Sequence, residues 1–223
     1  YGMTPAEVAT KFRQYIDEPD QTFVSDADVE VYLDDGYREF RNIVCDTNPQ
    51  IYNASESITL AGVRSFDLVT GTPSFLGASP TATAGRLVRI NEFNRVSTSG
   101  DVVERFSGVS TPRSVDVTGS SYALVGTSLL FSRKLTGTYS MEYVPEGDIT
   151  WLGLSASAYI DDLVAFHDLI PLLAYRQYAI VDGAQSAPIL QQTSDRLRQF
   201  SEYLQARASN GCDYVDHVAW YNG

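Results

Sequence analysis

Apolar residues near the start of the chain recur every three or four positions. Val8, Phe12, Tyr15 and Ile16 make one set, and Val29, Leu33, Tyr37, Phe40 and Val44 a second. That spacing gathers each set on one face of a helix. Both helices carry start signals. Thr4 is an N-cap, Pro5 suits the first helical position, and Glu7 falls where a capping box needs an acid. Ser25 and Asp28 repeat the box, and Val24 before the cap is placed to pack on Val29 as a hydrophobic staple.

The pattern changes after residue 50. Runs rich in β-branched and aromatic residues continue to residue 145: SITL, RSFDLV, RLVRINEF, DVVERF, RSVDVT, SYALVG, SLLFSRK and GTYSMEYV. Gly, Ser, Thr and Pro punctuate them, which predicts a small antiparallel sheet or barrel. TGTPSFLGASPTATAG, residues 70–85, is too polar and too rich in Gly and Pro for a core. It reads as a long loop or a hairpin tip.

Helical character returns over residues 158–208. AYIDDLVAFHDLIPLLAYRQYAIVDG is apolar on nearly every side, which predicts a buried central helix. Asp161, Asp162, His167, Asp168 and Arg176 rule it out as a membrane span. Pro171 inside it removes one backbone bond, a cost of about 3 kcal/mol unless the helix bends, so a kink is expected there. Gly183 ends this helix. Ser186 and Pro188 open another, with Leu190, Leu197, Phe200 and Leu204 on one face. The final stretch, NGCDYVDHVAWYNG, has no period. Its Tyr214, His217, Trp220 and Tyr221 have no core of their own, so it docks on a partner or stays disordered.

The order of these elements predicts an α+β fold, a helical bundle formed by the N- and C-terminal segments with a central antiparallel β insertion, a sheet or small barrel. The expected parts are an N-terminal helical part (1–48), a β insertion (49–157), a C-terminal helical part (158–208) and a docking tail (209–223).

Charge sharpens this picture. The net charge of −12 argues against a surface that grips nucleic acid or anionic membranes. Residues 1–48 carry 4 basic and 11 acidic groups, against 8 and 9 over 49–158 and 4 and 8 over 159–223. The acid therefore belongs to the helical segments. Six carboxylates crowd FVSDADVEVYLDDGYREF: Asp26, Asp28, Glu30, Asp34, Asp35 and Glu39. A calcium loop counted from Asp26 would need Gly and Glu where Val31 and Tyr37 stand. Asp26 and Asp28 suit a helix N-terminus, and Glu30, Asp34 and Asp35 fall mostly away from the apolar face, so a capped and hydrated helix is the expected arrangement.

Other chemistry is sparse. The two cysteines, Cys45 and Cys212, form no disulfide framework or metal-knuckle spacing and point to a reducing, cytoplasmic setting. The N-terminus reads as carrying no secretion signal. His167 sits in an apolar run and is expected to be a satisfied core or interface histidine, because Asp168 beside it does not share its helical face. No Walker loop, GxGxxG or G-x-S-x-G element is present. Trp151, after the turn-like PEGD, reads as an anchor for the loop that re-enters the helices. The 14 tyrosines are spread along the chain, which favours interfaces. No catalytic residue, metal or cofactor is implied. These features favour a binding or structural protein over an enzyme. A carbohydrate- or surface-binding module and a carboxylate-dependent hydrolase, with acids from 26–39 or 161–168, are the alternatives.

Three stretches carry a family resemblance. The helix opening T-P-A-E-V, the helix S-D-A-D-V-E-V-Y-L-D-D-G-Y-R-E-F, and the junction Y-V-P-E-G-D-I-T-W with D-D-L-V-A-F-H-D-L-I-P-L-L-A-Y-R-Q-Y-A resemble the head-to-tail adaptor (connector) proteins of tailed bacteriophages. The likeness covers the helical ends and the junction, not the β region. It implies a virion protein, assembled in the cytoplasm of a bacterial host. Its copies form a dodecameric ring beneath the portal protein and receive a downstream neck or tail protein. DNA passes through the channel during genome ejection without sequence-specific binding, and no membrane is involved. The C-terminal segment with Tyr214, His217, Trp220 and Tyr221 would dock on the portal. Glu30, Asp34 and Asp35 are the candidate channel-lining acids, since like charge keeps DNA from sticking.

Overall fold

A computed structural model describes residues 2–18, 23–75, 87–110, 119–147, 149–153, 160–183 and 186–209. The chain divides into two compact units. One joins Tyr1–Asn48 to Asp148–Gly223, and the other is Pro49–Gly147.

The first unit is helical. Helix α1 spans Pro5–Tyr15 and α2 Asp26–Thr47, each opened by a complete capping box. The Thr4 hydroxyl accepts the Glu7 N–H at 3.3 Å while the Glu7 carboxylate accepts the Thr4 N–H at 2.7 Å. Ser25 and Asp28 do the same for α2. Val24 and Val29 are both buried, as the staple requires. Helix α3 spans Leu169–Asp182 and α4 Ala187–Ser209. α3 packs against α1, α2 and α4. It therefore buries Leu169 to Tyr175 without interruption, and no polar side is left to show in its pattern. Gly36 lets α2 and α3 approach: a Cβ there would lie 2.8 Å from Ala174 N and from Ile170 O. Phe40 of α2 stacks on Phe200 of α4 at 4.8 Å.

The central helix is shorter than the sequence suggests, and Pro171 falls in its first turn and not inside it. A 3-10 turn at Val164–Phe166 precedes it, and the helix starts at Leu169. Pro171 then occupies the third helical position, where an N–H has no acceptor within the helix. No bond is lost and nothing forces a bend. Gly183 ends α3 in the left-handed region, φ 72°.

Among the described residues the second unit holds five strands after a 3-10 turn at Pro49–Tyr52. They are β1 (Ala54–Asp67), β2 (Leu87–Val96), β3 (Val102–Val109), β4 (Ser121–Val125) and β5 (Ser128–Pro145). β5 is the spine. It pairs antiparallel with β1, β2 and β4. β2 pairs antiparallel with β3, and β3 pairs parallel with β4, which closes the ring β5–β2–β3–β4. β1 lies outside that ring on β5. Inside, Phe93 stacks on Tyr139 and on Phe131, both at 5.3 Å, with Phe106 and Tyr122 edge-on. Four strands enclose little space, and planar rings fill it at close packing.

The expected helical bundle with an antiparallel insertion is thereby overturned. Among the described residues four helices accompany a closed four-strand mixed barrel with one extra strand, and strands dominate the core. The physical reason lies in the β3–β4 pair. β3 and β4 pair in parallel, which a tight hairpin between them would forbid, so the all-antiparallel reading of the runs fails there.

Candidate functional site

The three acids singled out on α2 do not act as one group. Five residues separate Glu30 from Asp35, about 140° around the helix at 100° per residue. Asp34 accepts a 2.6 Å hydrogen bond from the indole Nε1 of Trp151, whose ring is fully buried beside Tyr37. Trp151 is thus the anchor its position suggested, and Asp34 holds it. Asp35 pairs with Arg38 at 2.7 Å one turn on, both largely exposed. Glu30 has no hydrogen bond or ion pair among the described residues. The rest of the acidic stretch is committed in the same way. Asp26 pairs with Arg13 at 2.6 Å, Asp28 caps α2, and Glu39 pairs with Arg176 of α3. Asp168, a second candidate for carboxylate chemistry, is held by Arg196 through two bonds of 2.8 Å. The proposed docking residues Tyr214, His217, Trp220 and Tyr221 lie outside the described residues.

A buried polar group in the helical unit centres on Asp161. Its Oδ1 accepts the Leu163 N–H at 2.9 Å and lies 2.8 Å from His167 Nε2. His167 Nδ1 lies 3.2 Å from the Met3 carbonyl oxygen. The Tyr37 hydroxyl also reaches Asp161 and accepts from Arg41 at 3.3 Å. Burial pushes the Tyr37 pKa up, the Asp161 charge adds to that, and Arg41 opposes it. A Tyr–Asp–His set resembles catalytic machinery on paper. Here His167 is 1% exposed, so no substrate atom can reach either ring nitrogen. The arrangement clips the N-terminal segment, α2 and the 160–168 turn together. His167 is the satisfied core histidine the sequence suggested. Its partner was not legible, because Asp161 comes within reach only when residues 160–168 fold back instead of running on as helix.

A second polar cluster sits beside the aromatic interior of the barrel. Arg95 of β2 is in register with Glu104 of β3 and with Tyr139 of β5. Glu104 bonds both Arg133 and the Ser120 hydroxyl. The Arg133 guanidinium also lies over the Phe106 ring at 5.9 Å. Arg95 itself is exposed and makes no hydrogen bond or ion pair among the described residues. It lies against Gly137, whose φ of 119° favours glycine and whose missing side chain leaves the space open. Burial raises the Tyr139 pKa, with Arg95 and Arg133 opposing and Glu104 reinforcing. Sequence inspection did not single out Arg95, since nothing in the run RINEFNRV marks one arginine as unpaired.

Among the described residues no helix is long and apolar enough to cross a membrane. No group of three or more His, Cys, Asp or Glu is placed to hold a metal ion among them either. No protein-family model matches the chain, and no curated protein matches it.

Proposed function

We propose that this chain is a structural virion protein, a head-to-tail adaptor whose copies form a ring beneath the portal. DNA would pass through that ring on its way out of the capsid. One observation carries the reading. The helical stretches that resemble the adaptor family lie on both sides of the β region, α1 and α2 before it and residues 161–179 after it, yet they fold into one unit, while residues 143–147 of the junction stay in the β unit. The carboxylates add support. Those of α2 serve as caps, ion pairs and an indole acceptor, or stand in water, which is what a scaffold needs and a hydrolase does not. Glu30, without a partner among the described residues, is the acid best placed to face a channel and repel phosphate.

The test is binding to portal rings followed by native mass spectrometry. The intact chain should add to the portal as a closed set of copies. A chain lacking residues 209–223 should fail to dock, because the aromatic tail gains its contacts only on the portal. Equal docking by the shortened chain removes the tail from the account, and no docking by either chain removes the portal.

A further inference from the structure

The outer face of the β unit carries a patch of oxygen-bearing side chains, set out by the strand register. Ser55 of β1, Glu142 of β5 and Glu92 of β2 stand in one row across three strands, and Ser57, Ser140 and Asn94 in the next. These positions alternate with Phe93 and Met141, which point inward. Glu92 and Glu142 are directly opposed, and like charges so placed repel. Neither is fully exposed, and neither forms an ion pair among the described residues. Each accepts one bond from a carboxamide. Asn94 Nδ2 reaches Glu92 at 2.9 Å, and Asn53 Nδ2 reaches Glu142 at 2.9 Å.

Two carboxamide oxygens beside this pair are left without partners. Asn94 is 3% exposed, and with its nitrogen spent on Glu92 its Oδ1 makes no hydrogen bond among the described residues. Asn91 sits at a register shift in β2, between Ile90 opposite Tyr143 and Glu92 opposite Glu142. Such a shift re-aims a side chain. Asn91 Nδ2 donates to Asn53 Oδ1 at 2.9 Å, which links it to Glu142, while its own Oδ1 is buried with no hydrogen-bond partner. Opposed carboxylates and buried orphan oxygens call for the same thing, a positive charge among them. The donors are all oxygens in irregular array, which suits calcium better than magnesium with its strict octahedron. We propose that Glu92, Glu142, Asn91 and Asn94 form a calcium site on the β unit. Bound there, the ion turns repulsion between β2 and β5 into a clamp. Two carboxylates with neutral amides make a weak site, Kd on the order of 0.1–1 mM. This site is independent of the adaptor reading.

Isothermal titration calorimetry of the full chain with calcium chloride, at physiological salt to screen loose surface binding, should show one saturable site per chain. Calcium should slow hydrogen exchange in β2 and β5 and leave α1 to α4 unchanged. At ten times Kd it should raise the folding equilibrium constant of the β unit about elevenfold. Glu92→Gln and Glu142→Gln should each weaken calcium binding by about tenfold or more. Without calcium both should fold at least as well as the parent, because an opposed charge is gone and the amide oxygen still accepts from its asparagine. Glu56→Gln on β1 makes the same change of charge outside the patch and should bind as the parent does. No saturable heat up to about 10 mM calcium, ten times the weakest expected Kd, overturns the proposal. So do Glu92→Gln and Glu142→Gln chains that bind like the parent. An equal loss in Glu56→Gln overturns it too, since the binding is then an adventitious ion only, drawn by net negative charge.

Discussion

Asp34→Ala probes whether the acidic stretch of α2 is structural or merely exposed charge. The Trp151 indole is 1% exposed, and its N–H donates to Asp34 at 2.6 Å. Removing the acceptor leaves a buried donor with lost desolvation, about 1–3 kcal/mol, towards the upper end because the acceptor is charged. Alanine returns up to about 0.7 kcal/mol of helix propensity, so a net loss of about 1–2 kcal/mol is expected. Asp34→Asn keeps an oxygen facing the indole and should lose under about 1 kcal/mol, the difference between a charged and a neutral bond. Urea unfolding followed by tryptophan fluorescence, in a chain carrying Trp220→Phe, reports the helical unit through Trp151 alone. Fits should treat that unit separately from the β unit, since a chain of two compact units need not unfold in one step. An alanine variant as stable as its parent would refute the reasoning and return Asp34 to the status of a free surface acid.

Three further outcomes are expected. Gly36→Ala should destabilise the helical unit by about 1–3 kcal/mol in the same assay, despite better helix propensity, because its Cβ would meet the α3 backbone at 2.8 Å. A stabilised variant would mean that α2 and α3 are not in close contact. Phe93→Ala should cost about 3–5 kcal/mol and loosen the barrel, seen as lost near-ultraviolet dichroism, since Phe93 contacts four other rings. Burial is the leading cause that raises the pKa of Tyr15, Tyr37, Tyr122, Tyr139 and Tyr143 in the folded chain. The unfolded chain then loses those protons first, so stability should be intact below about pH 10 and fall as pH rises beyond it. Absorbance at the phenolate band should lag free tyrosine and then rise together with unfolding; titration of every tyrosine at the free value in the folded chain would contradict this.

The ends of elements were more legible than their company. Thr4, Glu7, Ser25, Asp28 and Gly183 announce helix termini because a cap is a local arrangement between neighbouring residues, settled before any tertiary contact forms. The start of α3 was not legible. An apolar run looks the same whether residues 160–168 are helix or a turn held by Asp161 and His167. Most of the expected runs fall in strands, with SITL and RSFDLV joined in β1 and SLLFSRK and GTYSMEYV in β5, while RSVDVT lies outside the described residues; the parallel β3–β4 pair was not legible, since alternation reports which face a residue takes and not which way its neighbour runs. The candidate acids show the same limit. Their exposure could be read from the helical period, whereas the bond from Trp151 to Asp34 joins residues 117 positions apart. Arg95 was invisible because lacking a partner is a property of the fold and not of the residue.

The central proposal is that this chain assembles as a structural ring. Electron microscopy of the chain mixed with portal rings and the downstream neck protein tests it most directly. The account expects a closed ring of copies between the two, with acidic α2 surfaces towards the channel. Portal rings left bare, with the chain dispersed as single copies beside them, would contradict it.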